Sequence, residues 1–155
     1  MLPILNLNKH PKDCENLSLI DALNVRLSND GSCLQSENAI LSNRTIRNYI
    51  ANYYDERFHI IKMIPCNTEL IIIAASDSDI QNPDINRADI FRYNEELRQI
   101  KLVYRRFEYH KGKINGTFTY NVNNELIVSI AEYDAKESVP LRTINFGKFE
   151  DDIGQ

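Results

Sequence analysis

Hydrophobic residues recur with two different periods along this chain, and the change between them falls just after Glu56. Before it, Ile46, Tyr49, Ile50, Tyr53 and Tyr54 fall at i, i+3, i+4, i+7 and i+8, one face of an α-helix. Arg44, Arg47, Asn48 and Asn52 occupy the opposite side. Ser42 or Asn43 can cap the first turn, because each carries a side-chain oxygen that accepts from an otherwise unpaired amide. The spacing predicts an amphipathic helix over 42–56 that covers an apolar surface. Its tyrosines read as core-edge rings whose hydroxyls reach water, in preference to an aromatic ligand box.

After Glu56 the period is that of strands. Phe58 to Ile64 and Glu69 to Ala75 are β-branched runs separated by Pro65-Cys-Asn-Thr68, a proline-led turn, and so predict an antiparallel pair. The run Leu70 to Ala75 is apolar on both pleat faces, which places it centrally with cover on either side. Ser76 to Ala88 is polar, contains Pro83 and reads as a surface loop. Strand signals follow at Ile90 to Tyr93, Gln99 to Tyr109, Thr117 to Val122, Glu125 to Tyr133 and Leu141 to Phe149. Asn123-Asn124 has the form of a two-residue hairpin turn, and Asn115-Gly116 of a second. Alternation in Ile100, Leu102 and Tyr104 slips phase at Arg105-Arg106 before Phe107 and Tyr109, as a β-bulge would cause.

The first forty residues carry no sustained period. Ser18 and Asp21 resemble a capping box opening a short helix with Leu19, Ile20 and Leu23. Asn29-Asp-Gly31 suggests a turn joining Val25 to Leu27 with Cys33 to Gln35. The expected fold is α+β in one domain, 1–155: a helix and hairpin segment at 1–41, the amphipathic helix at 42–56, an antiparallel meander of roughly five to seven strands at 57–149, and a frayed acidic tail at 150–155. The helical portion is expected to pack on the sheet.

Composition narrows the class. With 155 residues, 43% hydrophobic and 26% charged, the chain can bury a core of its own, so it belongs neither with stapled miniature scaffolds nor with disordered chains. Three cysteines without CxxC spacing read as cytosolic thiols, and the start of the chain has no secretory pattern. The longest apolar run, Leu70 to Ala75, is far short of a membrane span. The expectation is a cytoplasmic protein, in which the sequons at Asn16, Asn43 and Asn115 arise by chance.

Candidate chemistry is sparse. His10, His59 and His110 show no metal-ligand spacing, the five glycines form no phosphate loop, and the calcium-like opening Asp77-Ser-Asp79 lacks the glycine and the final glutamate such a loop needs. The expectation is therefore no catalytic residues, no metal and no cofactor. The net charge of −4 divides into two opposed regions. Arg98, Lys101, Arg105, Arg106, Lys111 and Lys113 surround Tyr104, Phe107 and Tyr109, a mixture that single-strand nucleic-acid binders use. The competing explanation, favoured three to one, is that alternation buries the rings while the charges line an exposed face. Acidic residues gather on expected loops: Asp77, Asp79, Asp84 and Asp89 in or beside the long loop, and Glu95 and Glu96 in a turn. Such loops can capture a basic protein by electrostatic steering. A carrier or enzyme with an apolar pocket between helix and sheet has no positive sign in the residues.

The cadence Ala88-Asp-Ile-Phe-Arg-Tyr-Asn94, Gln99-Ile-Lys-Leu102, Glu125-Leu-Ile-Val128 and Thr143-Ile-Asn-Phe-Gly-Lys-Phe149, in a small acidic chain, resembles strand and turn segments of bacterial immunity proteins. These belong to contact-dependent growth inhibition and other polymorphic toxin systems. The resemblance covers roughly the last seventy residues and carries over no functional residue. It implies a cytoplasmic inhibitor that binds a cognate toxin domain one to one, often a nuclease, and occludes its active site without catalysis. A nuclease must attract phosphate and is commonly basic, so an acidic partner suits it. The alternative function is a nucleic-acid-binding sheet that uses the basic segment 98–113.

Overall fold

A computed structural model describes residues 19–20, 40–81, 85–110, 112–133 and 142–150. The expected hairpin at 25–35 and the tail at 151–155 lie outside them, and of the first expected helix only Leu19 and Ile20 are described, with Ile20 buried.

Helix α1 spans Arg44–Tyr54. Asn43 is its cap, the Asn43 Oδ1 accepting from the Ile46 N–H at 3.1 Å. Asp55 ends it in the left-handed region at φ 52°, donating its N–H back to the Ala51 carbonyl. Ile46 and Ile50, the centre of the predicted stripe, are fully buried.

Among the described residues seven antiparallel strands follow: β1 Phe58–Cys66, β2 Glu69–Ser76, β3 Asn86–Asn94, β4 Gln99–Tyr109, β5 Lys113–Tyr120, β6 Leu126–Tyr133 and β7 Arg142–Gly147. A 3-10 turn, Ser78–Ile80, follows β2. Strands β1 to β4 form one sheet in chain order and β5 to β7 a second, so the single expected meander is corrected to two sheets. Strand β2 is central as expected, and all eight of its residues are buried. Its alternation serves two cores. Ile71, Ile73 and Ala75 join Ala88, Ile90, Val128, Ile130 and Phe146 between the sheets, whereas Leu70, Ile72 and Ala74 join Phe91, Ile46 and Ile50 on the helix side. The division into two sheets follows from this: the apolar inner face of β1 to β4 is buried by the apolar face of β5 to β7.

The corner where the chain leaves the first sheet is tied by Glu132 of β6. Its carboxylate accepts from the N–H of His110 at 2.6 and 2.9 Å and from the N–H of Gly112 at 2.8 Å. Asn115-Gly116 is not the expected turn but part of β5. A Cβ at Gly116 would stand 2.3 Å from Ile64 Cδ1, so the glycine lets β5 approach β1 closely. On the far side, the Arg142 guanidinium of β7 lies 3.6 Å from the centre of the Phe107 ring of β4 and donates to the Glu108 carbonyl.

Other boundaries moved by a few residues. Pro65 and Cys66 belong to edge strand β1, and the turn is Asn67-Thr68 with Asn67 at φ 62°. An edge strand tolerates proline because its N–H has no ladder partner. The hairpin at Asn123-Asn124 is present, but its loop is Asn121–Glu125, in which Asn121 Oδ1 accepts from the N–H of Asn123 and of Glu125 at 3.0 Å each. Strand β3 begins at Asn86, inside the segment expected to be loop. The β-bulge at Arg105-Arg106 is present: Ala88 pairs with Phe107 and Ile90 with Tyr104, leaving Asp89 opposite both arginines.

Among the described residues, a buried ion pair within the first sheet reaches across to the second. Arg92 of β3 donates to Glu69 Oε1 through Nη2 at 2.7 Å and Nε at 3.1 Å, and through Nη1 to the Phe146 carbonyl of β7 at 2.9 Å. Glu69 also accepts from Asn94 Nδ2 at 3.2 Å and from the Tyr120 hydroxyl of β5 at 3.1 Å. Arg92 is 1% exposed and Glu69 5%, so neither charge has water to replace a lost partner. We expect Arg92→Met alone to destabilise the fold by about 3–5 kcal/mol, because it strands the Glu69 charge, and the double variant Arg92→Met with Glu69→Leu to recover part of that loss. Urea unfolding midpoints of both variants check this, and a double variant no more stable than the single one counts against it.

Candidate functional site

A cleft of about 360 Å3 opens where the carboxy end of α1 passes over the first sheet. Its floor is Asp89 of β3. This carboxylate is buried, accepting from the Tyr54 hydroxyl at 2.8 Å, the Tyr53 hydroxyl at 3.5 Å and the Arg106 N–H at 3.1 Å. The last contact explains the bulge: Arg106 takes φ 55°, an unfavourable value for its type, while its amide answers the buried carboxylate. Tyr54 donates as well to the Ala74 carbonyl at 2.7 Å, and both tyrosine rings pack edge-on against Phe91.

The walls differ in sign. On the β2 side, Glu56 accepts from the Ser78 hydroxyl at 3.1 Å, and Asp79 accepts from the Ser76 hydroxyl at 3.2 Å. On the β4 side stand the exposed residues Arg105 and Arg106. Burial raises the Tyr54 hydroxyl above its ordinary pKa, and the Asp89 charge raises it further. Tyr53 is raised by burial and by Asp89, with Arg105 opposing. Both phenols are therefore hydrogen-bond donors at neutral pH. Elsewhere, burial and Glu69 push the Cys66 thiol up to about 12, which keeps it an unreactive core group.

The acidic residues expected to bind a partner do not share one surface. Asp79 lines the cleft, and Asp89, expected in or beside the long loop, lies beneath it as a buried strand residue. Asp77 pairs with His59 at 2.5 Å, and Glu95 accepts from the Leu19 N–H at 2.7 Å. Glu96 is exposed in the β3–β4 turn, and Asp84 lies outside the described residues. The basic segment is likewise divided. Phe107 and Tyr109 are core residues, as the competing explanation held, and Lys101 reaches the Phe149 carbonyl with its ammonium 4.6 Å from that ring's centre. Arg98 is exposed in the turn at φ 53°, Lys113 is exposed in β5, and Lys111 lies outside the described residues. Tyr104, Arg105 and Arg106 are each exposed, the arginines lining the cleft and the Tyr104 ring resting on Phe107.

Sequence reasoning missed Tyr53, Tyr54, Glu56, Ser76 and Ser78 as lining groups. The adjacent tyrosines at the end of the helical stripe were the available signal, but nothing in the sequence joined them to Asp89. Among the described residues no cluster of His, Cys, Asp and Glu could hold a metal ion, and no helix is long and apolar enough to cross a membrane. No family model, no curated protein and no solved structure matches the chain.

The raised phenols have a consequence for stability. A tyrosine whose pKa is higher in the fold than in the unfolded chain holds its proton more tightly when folded, so its contribution is complete below the unfolded value of 10.0 and is lost as pH rises beyond it. Stability should therefore fall more steeply above about pH 10 than in Tyr54→Phe, which lacks the ionisable hydroxyl. Urea midpoints from pH 8 to 11 test this, and parallel curves for the two proteins would contradict it.

Proposed function

We propose that this chain is a non-catalytic, cytoplasmic immunity protein that binds a cognate bacterial toxin domain, a nuclease by preference, and occludes its active site. The reading goes with an α+β architecture in which the amino-terminal helical portion packs on the sheet. One observation supports it above the others: the charged cleft is lined by Tyr53 and Tyr54 of α1 and by Arg105 and Arg106 of β4. Outside that lining, Tyr49 of α1 is 37% exposed, and Tyr104, whose ring packs against Phe107, is 38% exposed. Tyrosine and arginine are the residue types that anchor protein interfaces, while charged surroundings set association rate and choice of partner.

The test is co-expression with the protein encoded immediately upstream. A one-to-one complex that co-purifies and has lost toxin activity is the expected result. A toxin of unchanged activity in its presence overturns the reading.

The second reading, a nucleic-acid-binding module, is favoured by Tyr104, Arg105 and Arg106 lying side by side on β4. It requires oligonucleotide retention that weakens with salt and collapses when Arg105 and Arg106 are replaced together. Absence of binding at low salt removes it.

A further inference from the structure

The cleft over Asp89 has a polarity that the proposed interface does not by itself require. Within the first sheet the order is β1-β2-β3-β4, so the two walls lie on opposite sides of β3. Ser76 ends β2, Asp79 follows it in the 3-10 turn, and Glu56 is tied to that turn through Ser78. Arg105 and Arg106 belong to β4. The two walls are thus set on either side of β3, whose neighbours β2 and β4 lie about 10 Å apart, two interstrand spacings. Between them the floor charge of Asp89 is answered by two phenols and a backbone amide.

From this arrangement we infer that the cleft is a receptor for an adjacent pair of oppositely charged side chains on a protein partner, the basic one seated against Glu56 and Asp79 and the acidic one against Arg105 and Arg106. This rests on the reading of the chain as an inhibitor of another protein, and it specifies what that protein presents. A ligand of one sign meets attraction from one wall and repulsion from the other, so a polyanion such as nucleic acid and a purely basic surface are both poorly matched. A bipolar ligand satisfies both walls. The tyrosine rings supply an apolar and cation-attracting border for the stem of an arginine or lysine. The volume of about 360 Å3 suits two side chains and not a folded element.

The experiment uses the full chain and three short probes: acetyl-Arg-Ala-Glu-amide, and the same peptide with glutamine in place of Arg or in place of Glu. In an extended peptide the charged residues stand about 7 Å apart, within reach of both walls. Amide chemical shifts of the protein should respond to the first probe at residues 53–56, 76–79, 89 and 105–106. Each neutralised probe should bind about two- to fivefold more weakly, the effect of one partly exposed ion pair. Asp79→Asn should reduce the advantage of the probe's Arg, and Arg105→Gln that of its Glu, with Glu56 and Arg106 retaining the remainder. Equal binding of all three probes, shifts at other residues, or no shift at about 20 mM peptide overturns the inference. So does free arginine shifting the same residues as strongly as the bipolar peptide, which would make the cleft a small-molecule site.

The two proposals fail separately. If the upstream protein does not associate but the bipolar peptide is selected, the inhibitor reading falls and the cleft's selectivity stands. If the toxin complex forms and Asp79→Lys together with Arg105→Glu leaves its affinity unchanged, the inhibitor reading stands and the inference falls.

Discussion

The interior of this protein is organised around a charge that must not be left alone. Arg92 extends from β3 into the space between the sheets and is neutralised by Glu69 of β2, while the Phe146 carbonyl of β7 and the Phe149 ring occupy its remaining sides. Removing two charges from water is expensive, and a buried pair can return little net stability. What it supplies is geometry. The guanidinium is planar and directional, so its donors are satisfied only when the second sheet sits at one height over the first. Tyr120 repeats the link from β5, donating to Glu69 and also to the Cys66 carbonyl. The apolar contacts around this network are non-directional, and the polar contacts add the direction they lack.

The same logic operates on the other face of the first sheet, at smaller scale. Asp89 lies one residue before Ile90, and strand alternation sends its carboxylate to the helix side, among Tyr53, Tyr54 and the aromatic floor of α1. Satisfying that carboxylate recruits two phenols and one amide, and the amide comes from a bulge in β4 that turns Arg105 and Arg106 toward the cleft. The buried acid is thus the device that sets the position of two exposed cations. Its role in the site is indirect, through the backbone it holds.

Several elements were legible without coordinates because their signals are local. The stripe from Ile46 to Tyr54 with a capping asparagine, the wholly apolar run from Leu70 to Ala75, and the phase slip at Arg105-Arg106 each reside in a dozen residues or fewer, and each corresponds to a described element. The misread positions depend on distant partners. Asn115-Gly116 has the composition of a turn, yet it is strand because it pairs with Ala131 and Ile130 of β6. Asn86 to Ala88 looked like loop because they continue the polar stretch around Pro83, whereas they open β3 and pair with Phe107 to Tyr109 of β4. The acidic residues grouped by sequence were separated for the same reason: Asp77 is taken by His59 and Glu95 by the Leu19 amide.

The amino-acid sequence by itself determined the elements: one amphipathic helix, then a succession of antiparallel strands with β2 as the doubly covered one, since periodicity and turn chemistry act between near neighbours. Only the tertiary structure decided that the strands divide into two facing sheets and that Asp89 joins two tyrosines beneath a bipolar cleft. Those outcomes turn on which buried polar group finds which partner. Arg92 and Glu69, like Asp89 and Tyr54, are separated by more than twenty residues, and no local pattern records a hydrogen bond made across that distance.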